Sequence, residues 1–214
     1  MARIDTVFFD IDGTLVDARR DIANAMNHAL KSMGFAALPD EQIISYVGTG
    51  VTYLVRNSLG TDDETLVAEA TRRYGEYYVS HAADEARLYP HAIEMLEYLR
   101  GRRKFILTNR YAAYADALLK ALGIGRYFEQ IIGGDDETCL KPSACIIDRI
   151  AARLGIDKRT SLIVGDMDVD IMTGRNTGIK TCWVTHGLGR IEDVKALKPD
   201  YIIEYLIELK EIVK

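Results

Sequence analysis

The sequence predicts an α/β protein: a doubly wound, parallel-sheet (Rossmann-like) core carrying an inserted all-helical cap domain. Two observations predict the core. Short β-rich runs alternate with amphipathic helical stretches, and several of the runs end directly on polar clusters. A third predicts the insert: roughly seventy residues, 16–85, separate the first run from the return to the core, where a crossover helix needs little more than a dozen.

The first run is 4–9, ending at Asp10, and comparable runs stand at 104–107, 128–132, 161–164, 180–184 and 200–203. Apolar positions at Ala115, Leu118, Leu119 and Leu122 mark a helix stopped by Gly123. Another is expected to start at Pro142, a favoured first helical position, and to run to Leu154 before Gly155. Within 16–85 the pattern reads as helical throughout. Ile22, Met26, Ala29, Leu30 and Met33 share one helical face, and Leu66, Ala70, Tyr74, Tyr77 and Tyr78 share another. The expected division is therefore a catalytic core of 1–15 and 86–214 with a cap of 16–85, and a hinge is expected near Leu88-Tyr89-Pro90.

The 214 residues, 48% hydrophobic and 28% charged, suit one sizeable core with a smaller companion. A net charge of −5 and thinly spread Lys and Arg speak against nucleic acid as a partner. Neither a membrane-spanning run nor a signal peptide is legible, so a cytoplasmic protein without membrane partners is expected, as a monomer or small homo-oligomer. Cys139, Cys145 and Cys182 read as reduced thiols, and Cys139 has no base that would make it a nucleophile.

The chemistry concentrates after the strands. Asp10-Ile11-Asp12-Gly13-Thr14 follows the first, Thr108-Asn109 the second, Lys141-Pro142 lies after the third, and Gly165-Asp166-Met167-Asp168-Val169-Asp170 follows the fourth. Taken singly, each has an ordinary reading as a turn, a cap or a solvated loop. Together they lie at the carboxyl ends of parallel strands, the edge where ligands bind in open α/β folds. Carboxylates, a hydroxyl and an ammonium converging there suit phosphoryl transfer around Mg2+, which takes oxygen ligands and bridges carboxylate to phosphate. Asp10 is placed to be the nucleophile and Asp12 the acid–base group, with Lys141 and the backbone N–H groups after Asp10 neutralising the phosphoryl oxygens.

These motifs, in this order, resemble those of the haloacid dehalogenase-like hydrolase superfamily, and the likeness runs from Asp10 to the last strand. The segment Tyr46-Val47-Gly48-Thr49-Gly50 is similar to the cap loop of phosphoglycolate-phosphatase-like members. The resemblance implies Asp10 as nucleophile and magnesium ligand, and Asp12 as acid–base residue giving its carbonyl to the metal. It implies Thr108 and Asn109 on the phosphoryl group, Lys141 on nucleophile and phosphate, and Asp166 and Asp170 as the remaining metal carboxylates. Gly13, Gly48, Thr49, Gly50, Arg56 and Arg110 are candidate substrate contacts, although an exposed charge on a cap helix is the plainer reading of Arg56. Arg110 has two readings, pocket wall or helix cap. Three departures stand out: His91 where Gly is frequent, Ala144 where a second Pro is frequent, and Met167 where a small hydroxyl residue is usual. None removes a catalytic group.

The expected function is Mg2+-dependent hydrolysis of a small phosphomonoester, phosphoglycolate or a similar phosphorylated metabolite, through an aspartyl phosphate. A sugar-phosphate mutase of the β-phosphoglucomutase type and a non-catalytic phosphometabolite-binding protein are the alternatives on the same fold. A receiver-type signalling module is a poor fit, because its acceptor Asp sits on a later strand and it has no cap.

Overall fold

The structure is a computed structural model and describes residues 3–213. In chain order its elements are β1 (Thr6–Phe9), β2 (Val16–Asp17), α1 (Arg19–Ser32), α2 (Asp40–Ile44), α3 (Val51–Leu59), α4 (Glu64–Ser80), β3 (Arg87–Leu88), α5 (Ala92–Tyr98), β4 (Arg103–Leu107), α6 (Ala112–Ala121), β5 (Gln130–Ile132), α7 (Cys145–Leu154), β6 (Ser161–Gly165), α8 (Asp168–Thr177), β7 (Lys180–Val184), α9 (Ile191–Ala196), β8 (Tyr201–Ile203) and α10 (Leu209–Ile212).

Among the described residues, six strands make one sheet in the order β5-β4-β1-β6-β7-β8. Every neighbouring pair in it is parallel. The period-2 pleat sorts their side chains to two faces. Phe8, Phe105, Leu107 and Ile163 point to one, where they pack with Ile146, Ile147 and Ile150 of α7. Val7, Phe9, Ile106 and Val164 point to the other, among Leu96 of α5, Leu118 and Leu119 of α6 and Leu209 of α10. Both faces are covered, which explains why the strands read as unbroken apolar runs.

All six expected strands are present, with ends shifted by no more than two residues. Two expectations of local structure need correction. The segment 16–85 is not helical throughout: it opens on β2, which pairs antiparallel with β3 just beyond it, and four helices lie between. Asp21 braces this joint, its buried carboxylate accepting from the backbone N–H groups of Glu85 and Ala86 (3.1 and 2.8 Å to the nearer oxygens). Nor does α7 begin at Pro142. The Lys141–Pro142 bond is cis, Ser143 closes a turn by donating its N–H to the Leu140 carbonyl at 2.7 Å, and the helix starts at Cys145.

That turn also changes the reading of the cysteines. It folds the chain back so that Cys139 and Cys145, with Cα atoms 5.7 Å apart, are joined through their sulfurs, while Cys182 is free and buried. The expectation of reduced thiols at all three positions, drawn from an odd number of scattered cysteines, is thus corrected at Cys139 and Cys145, which the turn brings together.

The cap helices pack on one another, and their buried side chains continue into the core. Asp63 caps α4, accepting from the N–H groups of Thr65 and Leu66 at 2.9 and 3.1 Å. Ile22, Met26, Ala29 and Leu30 of α1 and Ala70, Tyr74 and Tyr78 of α4 are buried, as their spacing requires. No helix among the described residues is long and apolar enough to cross a membrane.

At the start of α5, His91 adopts φ 65° and ψ 6°, the left-handed region that favours glycine. Its Nδ1 contact with Glu94 at 3.1 Å is half-exposed and worth little. Left-handed backbone costs a non-glycine residue about 1–2 kcal/mol, and glycine's extra entropy in the unfolded chain returns about 0.5–1 kcal/mol of that. His91→Gly should therefore stabilise the fold by about 0.5–1 kcal/mol, seen as a higher urea midpoint at unchanged m. A lower midpoint would mean that the His91–Glu94 contact outweighs the strain.

Candidate active site

The site is built where β1, β4 and β6 lie side by side. Asp10 follows β1, Thr108 follows β4 and Asp166 follows β6, so the parallel sheet alone brings three polar groups to one edge. Lys141 arrives from the turn before α7, and Asp170 from the first turn of α8.

Lys141 Nζ donates to Asp10 Oδ1 at 2.9 Å and to Asp170 Oδ1 at 2.7 Å. Asp10, Asp166 and Asp170, all buried, each offer a carboxylate oxygen within 4.8 Å of the others. Neighbouring groups fix their orientation. Thr14 Oγ1 donates to Asp166 Oδ1 at 2.7 Å, the Leu188 N–H to Asp166 Oδ2 at 2.6 Å and the Met167 N–H to Asp170 Oδ2 at 3.0 Å. Trp183 Nε1 donates to the Asp166 carbonyl at 3.0 Å and holds that loop against β7.

Burial pushes the Asp10 carboxyl up to about 7, against the pull of Lys141, and repulsion from Asp170 and Asp12 adds to the rise. Asp166 is likewise held well above the ordinary carboxylate range, by burial first and then by Asp10 and Asp170. Burial alone would lower Lys141, but Asp10 and Asp170 outweigh it and keep the ammonium charged more firmly than in water. Three carboxylates facing one ammonium leave surplus negative charge, and the donors are all oxygen. That set fits a hard divalent cation.

Asp12 is held separately. Arg110 grips it with two parallel bonds, Nε to Oδ2 at 3.0 Å and Nη2 to Oδ1 at 2.8 Å, and both side chains are buried. The guanidinium lies over the ring of Tyr78 at 4.5 Å, and its attraction to Asp12 raises it despite the cost of burial. Of the two readings left open for Arg110, the pocket wall is the one observed.

Thr108 Oγ1 accepts the Arg110 N–H at 3.2 Å. Asn109 lines the pocket, yet its side-chain amide is committed to backbone. Nδ2 donates to the Gly48 carbonyl (2.8 Å) and the Lys141 carbonyl (3.0 Å), while Oδ1 accepts the Lys141 N–H (2.7 Å).

The cap closes over these groups. Gly48, Gly50, Val51, Leu54 and Tyr74 meet Asp10, Asp12, Lys141 and Met167 around a cavity of about 40 Å³. Gly48 has φ 108°, and a Cβ there would lie 2.6 Å from Met167 Sδ, so the larger residue after Asp166 is accommodated by a bare backbone opposite. Gly13, at φ 86°, is equally constrained, since its Cβ would sit 2.2 Å from Asp166 Oδ2.

Of the candidate substrate contacts, Gly13, Thr49 and Arg56 do not line this cavity. Thr49 and Arg56 line a neighbouring hollow, and Arg56 is paired with Asp62 (3.1 Å) and Glu64 (2.7 Å) on the cap surface. Thr14 and the tyrosines of α4 had no assigned site role. Thr14 stood inside the first motif, where a hydroxyl beside carboxylates was the available signal. Tyr74 and Tyr78 were indistinguishable from ordinary helix packing.

Residues 7–184 match the family described as haloacid dehalogenase-like hydrolase. The phosphoglycolate phosphatase of Vibrio parahaemolyticus is 30% identical over 98% of this chain and 96% of its own length. That of Neisseria meningitidis is 35% identical over 97% and 93%. A crystal structure of a predicted phosphoglycolate phosphatase from Haemophilus somnus superposes with a TM-score of 0.92 over the whole of both chains, at 25% identity. With its parallel-sheet core, helical cap and carboxylate–lysine cluster, the chain belongs to the haloacid dehalogenase-like hydrolase family, and it is a phosphatase of that family.

Proposed function

We propose that this phosphatase hydrolyses a small phosphomonoester, phosphoglycolate or a similar phosphorylated metabolite, with Mg2+ and through an aspartyl phosphate (an acyl phosphate) on Asp10. The observation that carries this reading is Lys141 Nζ bonded to both Asp10 and Asp170 beside Asp166, beneath a cavity of about 40 Å³. The names of the full-length relatives support phosphoglycolate as the substrate.

In the first half of the reaction Asp10 attacks phosphorus while the bond to the leaving oxygen breaks, and Asp12 gives its proton to that oxygen. In the second half water attacks phosphorus, the bond to Asp10 breaks, and Asp12 takes the water's proton. Lys141 fixes the Asp10 carboxylate and balances charge on the phosphoryl oxygens. Magnesium, held by Asp10, Asp166, Asp170 and the Asp12 carbonyl, would cancel the repulsion between the nucleophile and the phosphate dianion. The 16–85 segment acts as a lid, moving about the β2–β3 joint and excluding bulk water when shut.

Phosphate release from a panel of small phosphomonoesters tests the reading directly. Wild type should be active with Mg2+ and inactive in EDTA, and Asp10→Asn should lose at least about 10³-fold in kcat. Undiminished activity in Asp10→Asn would sink the proposed nucleophile.

The pH dependence of metal stabilisation tests the metal site. In the metal-free protein Asp10 holds its proton up to about 7 and Asp166 also titrates high, whereas both ionise near 4 when unfolded. The fold thus binds more protons than the unfolded chain between those limits, and these groups weaken it progressively as pH rises through that window. Mg2+ needs the ionised carboxylates and relieves their repulsion. Its effect on Tm should therefore be small at pH 5 and clearly larger at pH 8, measured by thermal melts with and without MgCl2. A shift independent of pH would place the cation elsewhere.

A further inference from the structure

Asp166 is the most deeply enclosed of the three clustered carboxylates. Asp10 and Asp170 both repel it when it is ionised, so a side chain free to turn would turn away from them. It is not free. Thr14 Oγ1 bonds one of its oxygens and the Leu188 N–H the other, and each oxygen keeps a lone pair for a cation. Its backbone carbonyl accepts from Trp183 Nε1.

Two of these donors come from one short stretch. Trp183 lies in β7, and the loop that follows the strand passes back over Asp166. A Cβ on Gly187 would stand 2.2 Å from the Asp166 side chain, and one on Gly189 2.1 Å from its carbonyl oxygen. The loop therefore lies against Asp166 with no room for a side chain between them. In the same loop His186 Nε2 meets the Thr14 carbonyl at 3.2 Å, and Thr14 is the residue whose hydroxyl holds Asp166 Oδ1. Residues 183–189 thus form a clasp around Asp166.

Within the clasp Trp183 has a distinct position. Its partner is the Asp166 backbone, so it orients the residue without occupying a carboxylate oxygen. An indole N–H only donates and a carbonyl only accepts, which gives the bond a single direction. The ring itself is held: it is 1% exposed and packs with Ile171 and Val194. Ile171 directly follows Asp170 in α8, so one ring braces the chain at two of the three carboxylates.

We infer that Trp183 is a positioning residue of the metal site, fixing the Asp166 backbone so that its carboxylate faces Asp10 and Asp170 before a cation arrives. The inference rests on the Mg2+ reading proposed above and deepens it. A carboxylate already aimed is gained by the cation without first being ordered. Without the indole N–H the Asp166 carbonyl is left buried and unpaired, the segment settles elsewhere, and binding must restore it. Outer partners of metal ligands typically change metal affinity by about 10–100-fold when removed.

Isothermal titration calorimetry with MgCl2 at pH 8 reads the dissociation constant without turnover, in wild type, Trp183→Phe and Val194→Ala. Trp183→Phe removes the N–H, whereas Val194→Ala loosens the packing around the same ring and keeps it. Trp183→Phe should weaken Mg2+ binding about tenfold or more, and Val194→Ala should stay within about twofold of wild type. If Trp183→Phe does not fold, 3-benzothienylalanine replaces the chain's single tryptophan, exchanging N–H for sulfur in a ring of the same shape, with the same weakening expected. A dissociation constant within about twofold of wild type in the folded replacement, or equal weakening by Val194→Ala, overturns the positioning role and leaves the metal reading intact. Absence of Mg2+ binding in wild type overturns the metal reading and this inference with it.

Discussion

The structure turns on a surplus of buried carboxylate. Asp10, Asp166 and Asp170 lie within one ion's reach of one another, and Lys141 is the ammonium that faces them. Like charges held out of water repel strongly, so the arrangement persists only because everything around it is committed to it. Donors from Thr14, Met167 and Leu188 take up carboxylate lone pairs. Space is given up as well: a Cβ on Gly13 or on Gly165 would lie 2.2 Å from an atom of Asp166 or Asp170. The glycine of the first motif, Gly13, is a packing necessity imposed by a residue more than a hundred positions away.

A second charge pair, Arg110 with Asp12, has a different logic. It is bidentate, buried and almost neutral in sum, and burying it costs desolvation that its own attraction repays only with good geometry. Its value is positional. Asp12 and Asp10 are two residues apart on one turn, and without separate partners both would compete for Lys141. Giving Asp12 its own guanidinium divides the two carboxylates between two cations, the separation that the roles proposed for them require.

Much of this was legible in the sequence. The six strands announced themselves because both sheet faces are covered and their residues had to be apolar. Asp10, Asp12, Thr108, Lys141 and Asp166 could be placed at one edge because parallel topology sends every strand's carboxyl end there. What was not legible depends on distance in sequence. The start of α7 was misread because proline's preference for a first helical turn says nothing of a turn built by Leu140 and Ser143. The Cys139–Cys145 contact followed from that same turn. Arg110 looked like any charge beside a strand end, since its partner is 98 positions away. Nor could the commitment of the Asn109 side-chain amide to the backbone of Gly48 and Lys141 be read from sequence.

That amide has a further consequence for turnover. Of its three hydrogen bonds, two hold the Lys141 segment and one reaches the cap at Gly48. A cap that lifts forfeits only the last, exchanging it with water for about 1 kcal/mol, and the other two remain. The bond that aims Lys141 at Asp10 does not depend on the cap. In the proposed reaction, substrate entry and product release would therefore leave the catalytic geometry assembled.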